Sequence, residues 1–208
     1  MKICIVGAGA IGGMLAVRLA ESGATVSVVA RGAHLDAIRS QGLTLIEADG
    51  TSKTVEIAAS AQIRDFSDQD AIVLAVKAHQ LAGACPGVAQ ALAPKGVIVT
   101  AQNGIPFWYF AGQRGPFANR HLQAVDPDGS IAAQLPVEQI IGSVVYPAAE
   151  IKGPGIIQHI EGLRLSLGEL DGTSSERITQ LSATFRAAGF KSPVVKDIRS
   201  EIWTKLWG

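Results

Sequence analysis

Three glycines near the N-terminus, Gly7, Gly9 and Gly12, stand in the spacing G-x-G-x-x-G with Ala8, Ala10 and Ile11 between them. Glycines so spaced can bring backbone N–H groups up against a phosphate. Gly7 permits a tight turn, Gly9 lets a pyrophosphate approach the main chain, and Gly12 lets a following helix pack close to the preceding strand. Amides at a helix start carry partial positive charge and attract anions without help from a side chain. Further on stands Arg31, where a unit built for NAD places an Asp or Glu to accept from the ribose 2′-hydroxyl. Nothing acidic lies nearer than Asp36. A guanidinium fork suits a 2′-phosphate through charge-assisted bonds, so the expected cofactor is NADP. Lys77 and Asn103 follow two apolar runs directly, and together they read as a polar constellation on one edge of a sheet. Ligands of open α/β sheets bind at that edge.

The elements that must position these groups follow from the apolar pattern. Residues 3–6 are an unbroken apolar run, which suits a strand buried on both faces of a parallel sheet. Residues 13–21 favour helix, and residues 25–29 supply the second parallel strand of a βαβ unit. A short helix over 34–40 and two short strands, 43–46 and 54–57 around a turn at Asp49-Gly50, read as a small excursion. The sheet resumes at 71–76, runs through Lys77 into a helix ending near Leu92, and continues at 97–101. The expected fold is therefore α/β, of the doubly wound Rossmann type, with a mostly parallel sheet.

Beyond Asn103 the signals are weaker. The aromatic cluster Phe107-Trp108-Tyr109-Phe110 reads either as the lining of a pocket or, the favoured reading, as a loop buried against the domain, and residues 112–138 read as a surface insertion rich in Gly, Pro, Asp and Gln. Three β-like runs, 140–146, 155–160 and 163–167, suggest an antiparallel extension of the sheet, with His159 as a hydrogen-bonded sheet residue. A helix capped by Ser or Thr near 173–175 runs to about Ala188, with Gly189 beyond it, and residues 193–195 suggest a last short strand. Asp197 caps a final helix in which Ile198, Ile202 and Leu206 define an apolar face, with Lys205 beside it. The pattern stops within that helix, so the expected organisation is a dinucleotide-binding unit over 1–196 and, over 197–208, the first helix of a truncated helical domain.

Composition narrows the function classes. The chain has 208 residues, is 48% hydrophobic and carries a formal net charge of zero, which leaves no electrostatic footprint for nucleic acid. No window approaches the roughly 20 apolar residues a membrane span requires. Cys4 and Cys85 are far apart and the four histidines are scattered, so no metal site is expected, and the thiols read as reduced groups of a cytoplasmic protein.

Taken in order, G-A-G-A-I-G at Gly7–Gly12, Arg31, V-K-A-H-Q around Lys77, Q-N-G around Asn103 and E-I-W-T-K-L-W-G around Lys205 resemble the ketopantoate reductase (2-dehydropantoate 2-reductase) family. That resemblance implies NADPH-dependent reduction of a 2-oxo acid, 2-dehydropantoate, to pantoate in pantothenate biosynthesis. It implies that Lys205 is the catalytic lysine and that Asn103 lies near the nicotinamide ribose and substrate. Lys77 would lie near the cofactor, and Ala148 would be a looser cofactor contact. The partners it implies are the small 2-oxo acid and, as a homodimer, a second copy of the chain. Two other readings stand beside it: a related hydroxyacid or opine-type dehydrogenase, and a non-catalytic NADP-binding sensor module.

Overall fold

Alternation along the strands decides the layering. β1 (Lys2–Val6) turns Ile3 and Ile5 into one apolar cluster and Cys4 and Val6 into another, so both of its faces are covered. The computed structural model describes Met1–Gly208. After β1 come α1 (Ala10–Glu21), β2 (Thr25–Val29), α2 (Gly32–Gln41), β3 (Leu43–Ile46), β4 (Ser52–Val55), β5 (Ala58–Ser60) and β6 (Gln69–Leu74). Short helices α3 (Leu81–Ala84) and α4 (Val88–Ala91) lead to β7 (Leu92–Thr100), α5 (Ser130–Gln134) and β8 (Ile140–Val145). The chain then forms β9 (Ala148–Gly153), β10 (Ile156–Glu161), β11 (Leu165–Glu169), α6 (Glu176–Ala187) and α7 (Ile198–Trp207). None of the helices is long and apolar enough to cross a membrane.

The main sheet has seven strands in the order β11-β8-β7-β6-β1-β2-β5. All neighbours are parallel except β11, which runs antiparallel to β8. This is the Rossmann arrangement expected, with the glycine turn following the interior strand β1. One face is covered by α1, α2 and α6, the other by α3, α4, α5, the Phe107–Trp108 segment and the start of α7.

A second sheet, ordered β4-β3-β10-β9, lies on the far side of α1. Its presence corrects the expectation that the three later β-runs all extend the main sheet. β8 joins in parallel and β11 alone is antiparallel, whereas β10 leaves to pair in parallel with β3. Alternating apolar residues suit either sheet, and the choice is made by α1, which Gly13 leaves bare. A Cβ there would lie 2.6 Å from Ile157 Cγ1 of β10. His159 is a buried sheet residue as expected, bonded to Glu47 Oε2 at 3.1 Å and the Gly162 carbonyl at 2.8 Å.

Other differences are local. The helix expected after Lys77-Ala78-His79-Gln80 and through about Leu92 is broken into α3 and α4, because Pro86 lacks a donor and Gly87 adopts φ +87°. Residues 193–195 form only an isolated bridge, Leu167 with Val194. The 112–138 segment is mostly turns, yet it is anchored inside the fold. Ile131 and Leu135 are buried, and the buried carboxylate of Asp126 accepts from the Ile131 and Ala132 N–H groups at the start of α5. In α7, Ile198 and Ile202 enter the core but Leu206 is 49% exposed.

Candidate active site

The glycine turn is built as its spacing requires. Gly7 has φ +99°, and a Cβ there would lie 2.7 Å from Val76 Cγ1. A Cβ on Gly12 would lie 2.0 Å from the Gly7 carbonyl oxygen, so only glycine lets α1 start this close to β1. Gly9 differs: it is the N-cap of α1, offers no side chain to the first-turn amides, and a Cβ added to it would meet nothing within 4 Å. The open space above Gly9 and the free N–H groups of the first turn fit a pyrophosphate. The turn is tied down from both sides. Gly7 and Ala8 donate to the Val29 carbonyl at 3.0 and 3.2 Å. His34 Nδ1 accepts from the Gly155 N–H at 3.0 Å, which leaves Nε2 as the protonated nitrogen, donating to the Ala8 carbonyl at 2.6 Å.

Two cavities open along the C-terminal edge of the parallel strands. The first, about 590 Å³, is lined by Gly7, Ala8 and Gly9 together with Arg31, Gln62 and Arg64. The second, about 650 Å³, is lined by Ala10 and Ile11 together with Lys77, Gln102 and Asn103. They share Gly7, Gly9, Val76, Gln80 and Ile151, so they form one trough bent over the glycine turn. Arg31 thus stands at one end and Asn103 at the other. Lys77 begins a short 3-10 turn after β6, where its N–H donates to Gln80 Oε1 at 3.3 Å.

A smaller recess of about 60 Å³ continues past Asn103 to Ser143 and Lys205. Lys205 Nζ donates to Asn103 Oδ1 at 2.6 Å and to the Val145 carbonyl, and lies 5.2 Å from the centre of the Tyr146 ring. Residues far apart in the chain are thereby joined by α7, which Asp197 caps through the Arg199 and Ser200 N–H groups. Half-buried, Lys205 has its ammonium pushed below the ordinary lysine pKa by desolvation.

The helix is fixed by two further groups. Arg199 donates to the carbonyls of Tyr109, Leu170 and Ala111, the first two at 2.6 Å. Glu201 Oε1 accepts from Arg164, Ser166 and Tyr146. Burial raises the Glu201 pKa, but these donors outweigh it and hold the carboxyl below its usual value. The expected burial of the aromatic cluster is seen in Phe107 and Trp108, whose indole N–H donates to Thr100 Oγ1 at 2.9 Å.

The trough brings together Gly7 through Ile11, Arg31, Lys77 and Asn103, with Lys205 beyond. Ala148 is not among its lining residues. From the same strand, β9, it is Ile151 that lines both cavities. Ile151, Gln62 and Arg64 were missed by sequence reasoning. Arg64 follows β5, whose sequence Ala58-Ala59-Ser60 carries almost no strand signal.

Residues 3–172 match the family model described as ketopantoate reductase PanE/ApbA. Over its whole length the chain is 52% identical to a 2-dehydropantoate 2-reductase of Mesorhizobium japonicum, of which it covers 64%. The crystal structure of a candidate ketopantoate reductase from Ralstonia solanacearum MolK2 superposes with a TM-score of 0.93 at 41% identity, covering 99% of this chain and 63% of that one. A PanE/ApbA family ketopantoate reductase from Ralstonia eutropha JMP134 gives a TM-score of 0.79 at 26% identity, with 99% and 60% covered. The chain therefore spans about three fifths of the length of the relatives it matches. Matched by the family model over most of its length, and by full-length identity and fold to its relatives, the chain belongs to the ketopantoate reductase family.

Proposed function

We propose that this chain forms the NADPH-binding part, and carries the proton donor, of a reductase that converts a 2-oxo acid, 2-dehydropantoate, to its 2-hydroxy acid, pantoate. The observation that carries this reading is the Lys205 ammonium bonded to Asn103 at the end of the trough that starts at Arg31. In this reading residues 1–196 hold the cofactor and α7 opens the part of the protein that completes the substrate cleft.

Each residue's part follows from its place. The first-turn amides after Gly9 hold the pyrophosphate, Arg31 the 2′-phosphate, and Lys77 and Asn103 the ribose and nicotinamide end. When bound, the dinucleotide supplies the hydride. As negative charge grows on the carbonyl oxygen, the Lys205 ammonium stabilises it more than it stabilises the ketone, then gives up a proton to form the alcohol. Asn103 orients that ammonium through its side-chain oxygen.

The test is a fluorescence titration of NADPH and NADH against this chain and two variants. Arg31→Ala weakens NADPH about 10- to 100-fold, the worth of one or two bonds to a charged group, and leaves NADH unchanged. Equal affinity for the two cofactors in the parent chain would sink the NADP assignment. Gly9→Ala, placed where a Cβ meets no protein atom, keeps the urea midpoint of the parent while weakening both cofactors about tenfold or more. Unaltered binding by that variant would put the phosphates somewhere else.

A further inference from the structure

Glu201 precedes Lys205 by one turn of α7. Side chains four apart on a helix are neighbours, and glutamate before lysine is the order that pairs best. An ion pair between them is thus the default outcome of the local sequence. It does not form. Lys205 meets only the neutral oxygens of Asn103 and Val145 and the face of Tyr146. The sole ion pair of Glu201 is with Arg164, at 2.8 Å.

We propose that Arg164 is a positioning residue that holds the Glu201 carboxylate away from Lys205 and so keeps the catalytic ammonium unpaired. Glu201 Oε1 takes Nη2 of Arg164 at 2.8 Å and Nε at 3.2 Å, with Ser166 Oγ at 2.6 Å and the Tyr146 hydroxyl at 3.1 Å. Arg164 is itself placed by the sheet, since its carbonyl accepts from the Tyr146 N–H at 3.0 Å and its guanidinium lies 5.5 Å from the centre of that ring.

The other charged groups around α7 are already engaged. Asp197 caps the helix, Arg199 is bonded to three carbonyls, and Glu169 of β11 is paired with Arg177. β8 contributes no charge. Glu201 is therefore the one carboxylate that could reach Lys205 along its helix. A carboxylate beside the ammonium would make it a poorer acid and offset its field at a substrate oxygen. What the unpaired ammonium is for rests on the reductase reading; that it is kept unpaired does not.

The experiment is competitive acylation of this chain with trace acetic anhydride across a range of pH. Mass spectrometry compares the labelling of Lys205 with that of exposed Lys95. In Arg164→Met the freed carboxylate turns to Lys205, whose titration moves upward and whose labelling at fixed pH falls about tenfold. Adding Glu201→Gln restores the parent profile, because the neutral amide cannot pair. Arg164→Lys, which keeps a cation on Glu201, also keeps that profile. Unchanged labelling in Arg164→Met would overturn the proposal. So would failure of Glu201→Gln to restore it, or an equal change in Arg164→Lys, either of which would mean that the substitution had merely disturbed the fold. The label reports Lys205 whether or not a substrate is ever reduced, so loss of the reductase reading would leave this result standing, and the reverse holds as well.

Discussion

Lys205→Met, made in the protein that carries this chain, lowers kcat for reduction of the 2-oxo acid by about a hundred- to ten-thousand-fold, the range a positioned proton donor contributes. The affinity for NADPH stays close to the parent value, because the glycine turn and Arg31 lie at the other end of the trough. The pH profile supplies an independent check. With Lys205 as the proposed proton donor, the reaction needs the protonated amine, so kcat/KM falls as pH rises through the pKa of Lys205 in the free enzyme. Burial sets that pKa below the ordinary lysine value. The alkaline limb therefore lies at lower pH than an exposed lysine would give, and it disappears in the residual activity of Lys205→Met. A variant with parental kcat would end the catalytic assignment, leaving Lys205 as a helix lysine whose stem covers apolar surface.

The second large effect concerns stability. Arg199→Leu removes the donors that serve the carbonyls of Tyr109, Ala111 and Leu170 in one step. Left inside the fold, those oxygens lose charge-assisted bonds, and the expected loss is about 3 kcal/mol, read as a lower urea midpoint at unchanged slope. Arg199→Lys recovers only part of it, because a single ammonium on a flexible stem cannot span the carbonyls that the planar fork reaches. A loss below about 0.5 kcal/mol, the scale of an ordinary surface substitution, would show that the segment after Asn103 is held by its buried Phe107 and Trp108 alone.

The parts of this molecule legible in the sequence are those set by local pattern. β1, the glycine turn and α1 follow one another within a few residues, each with its own signal, and Asp197 announces α7 through its short side chain. The edge placement of Lys77 and Asn103 was legible because each follows an apolar strand directly. What stayed hidden depends on partners distant in sequence. β10 pairs with β3 rather than with β11, and no periodicity within residues 156–161 encodes that choice. The same holds for Ile151, an ordinary strand residue until β9 is laid beside the glycine turn, and for Arg64, which a weakly marked edge strand brings to the Arg31 cavity. The tie between Glu201 and Arg164 ran against local expectation, since spacing alone pairs Glu201 with Lys205.

Between its two sheets, α1 has a consequence for how the molecule exchanges its amide hydrogens. From Gly12 to Leu19 nearly every residue is buried, with main-sheet strands on one side and Ile157 pressed against Gly13 on the other. Amides in the body of this helix open only when both sheets separate, so they exchange at the rate of global unfolding. The amides of Ala10 and Ile11, at its first turn, line the trough with no cap from Gly9, and they exchange faster. Within little more than one turn the helix thus carries a slow and a fast backbone deuterium clock. The fast one slows when a phosphate takes its N–H groups; the slow one moves only with total stability. A single peptide from this helix separates occupancy of the site from stabilisation of the fold.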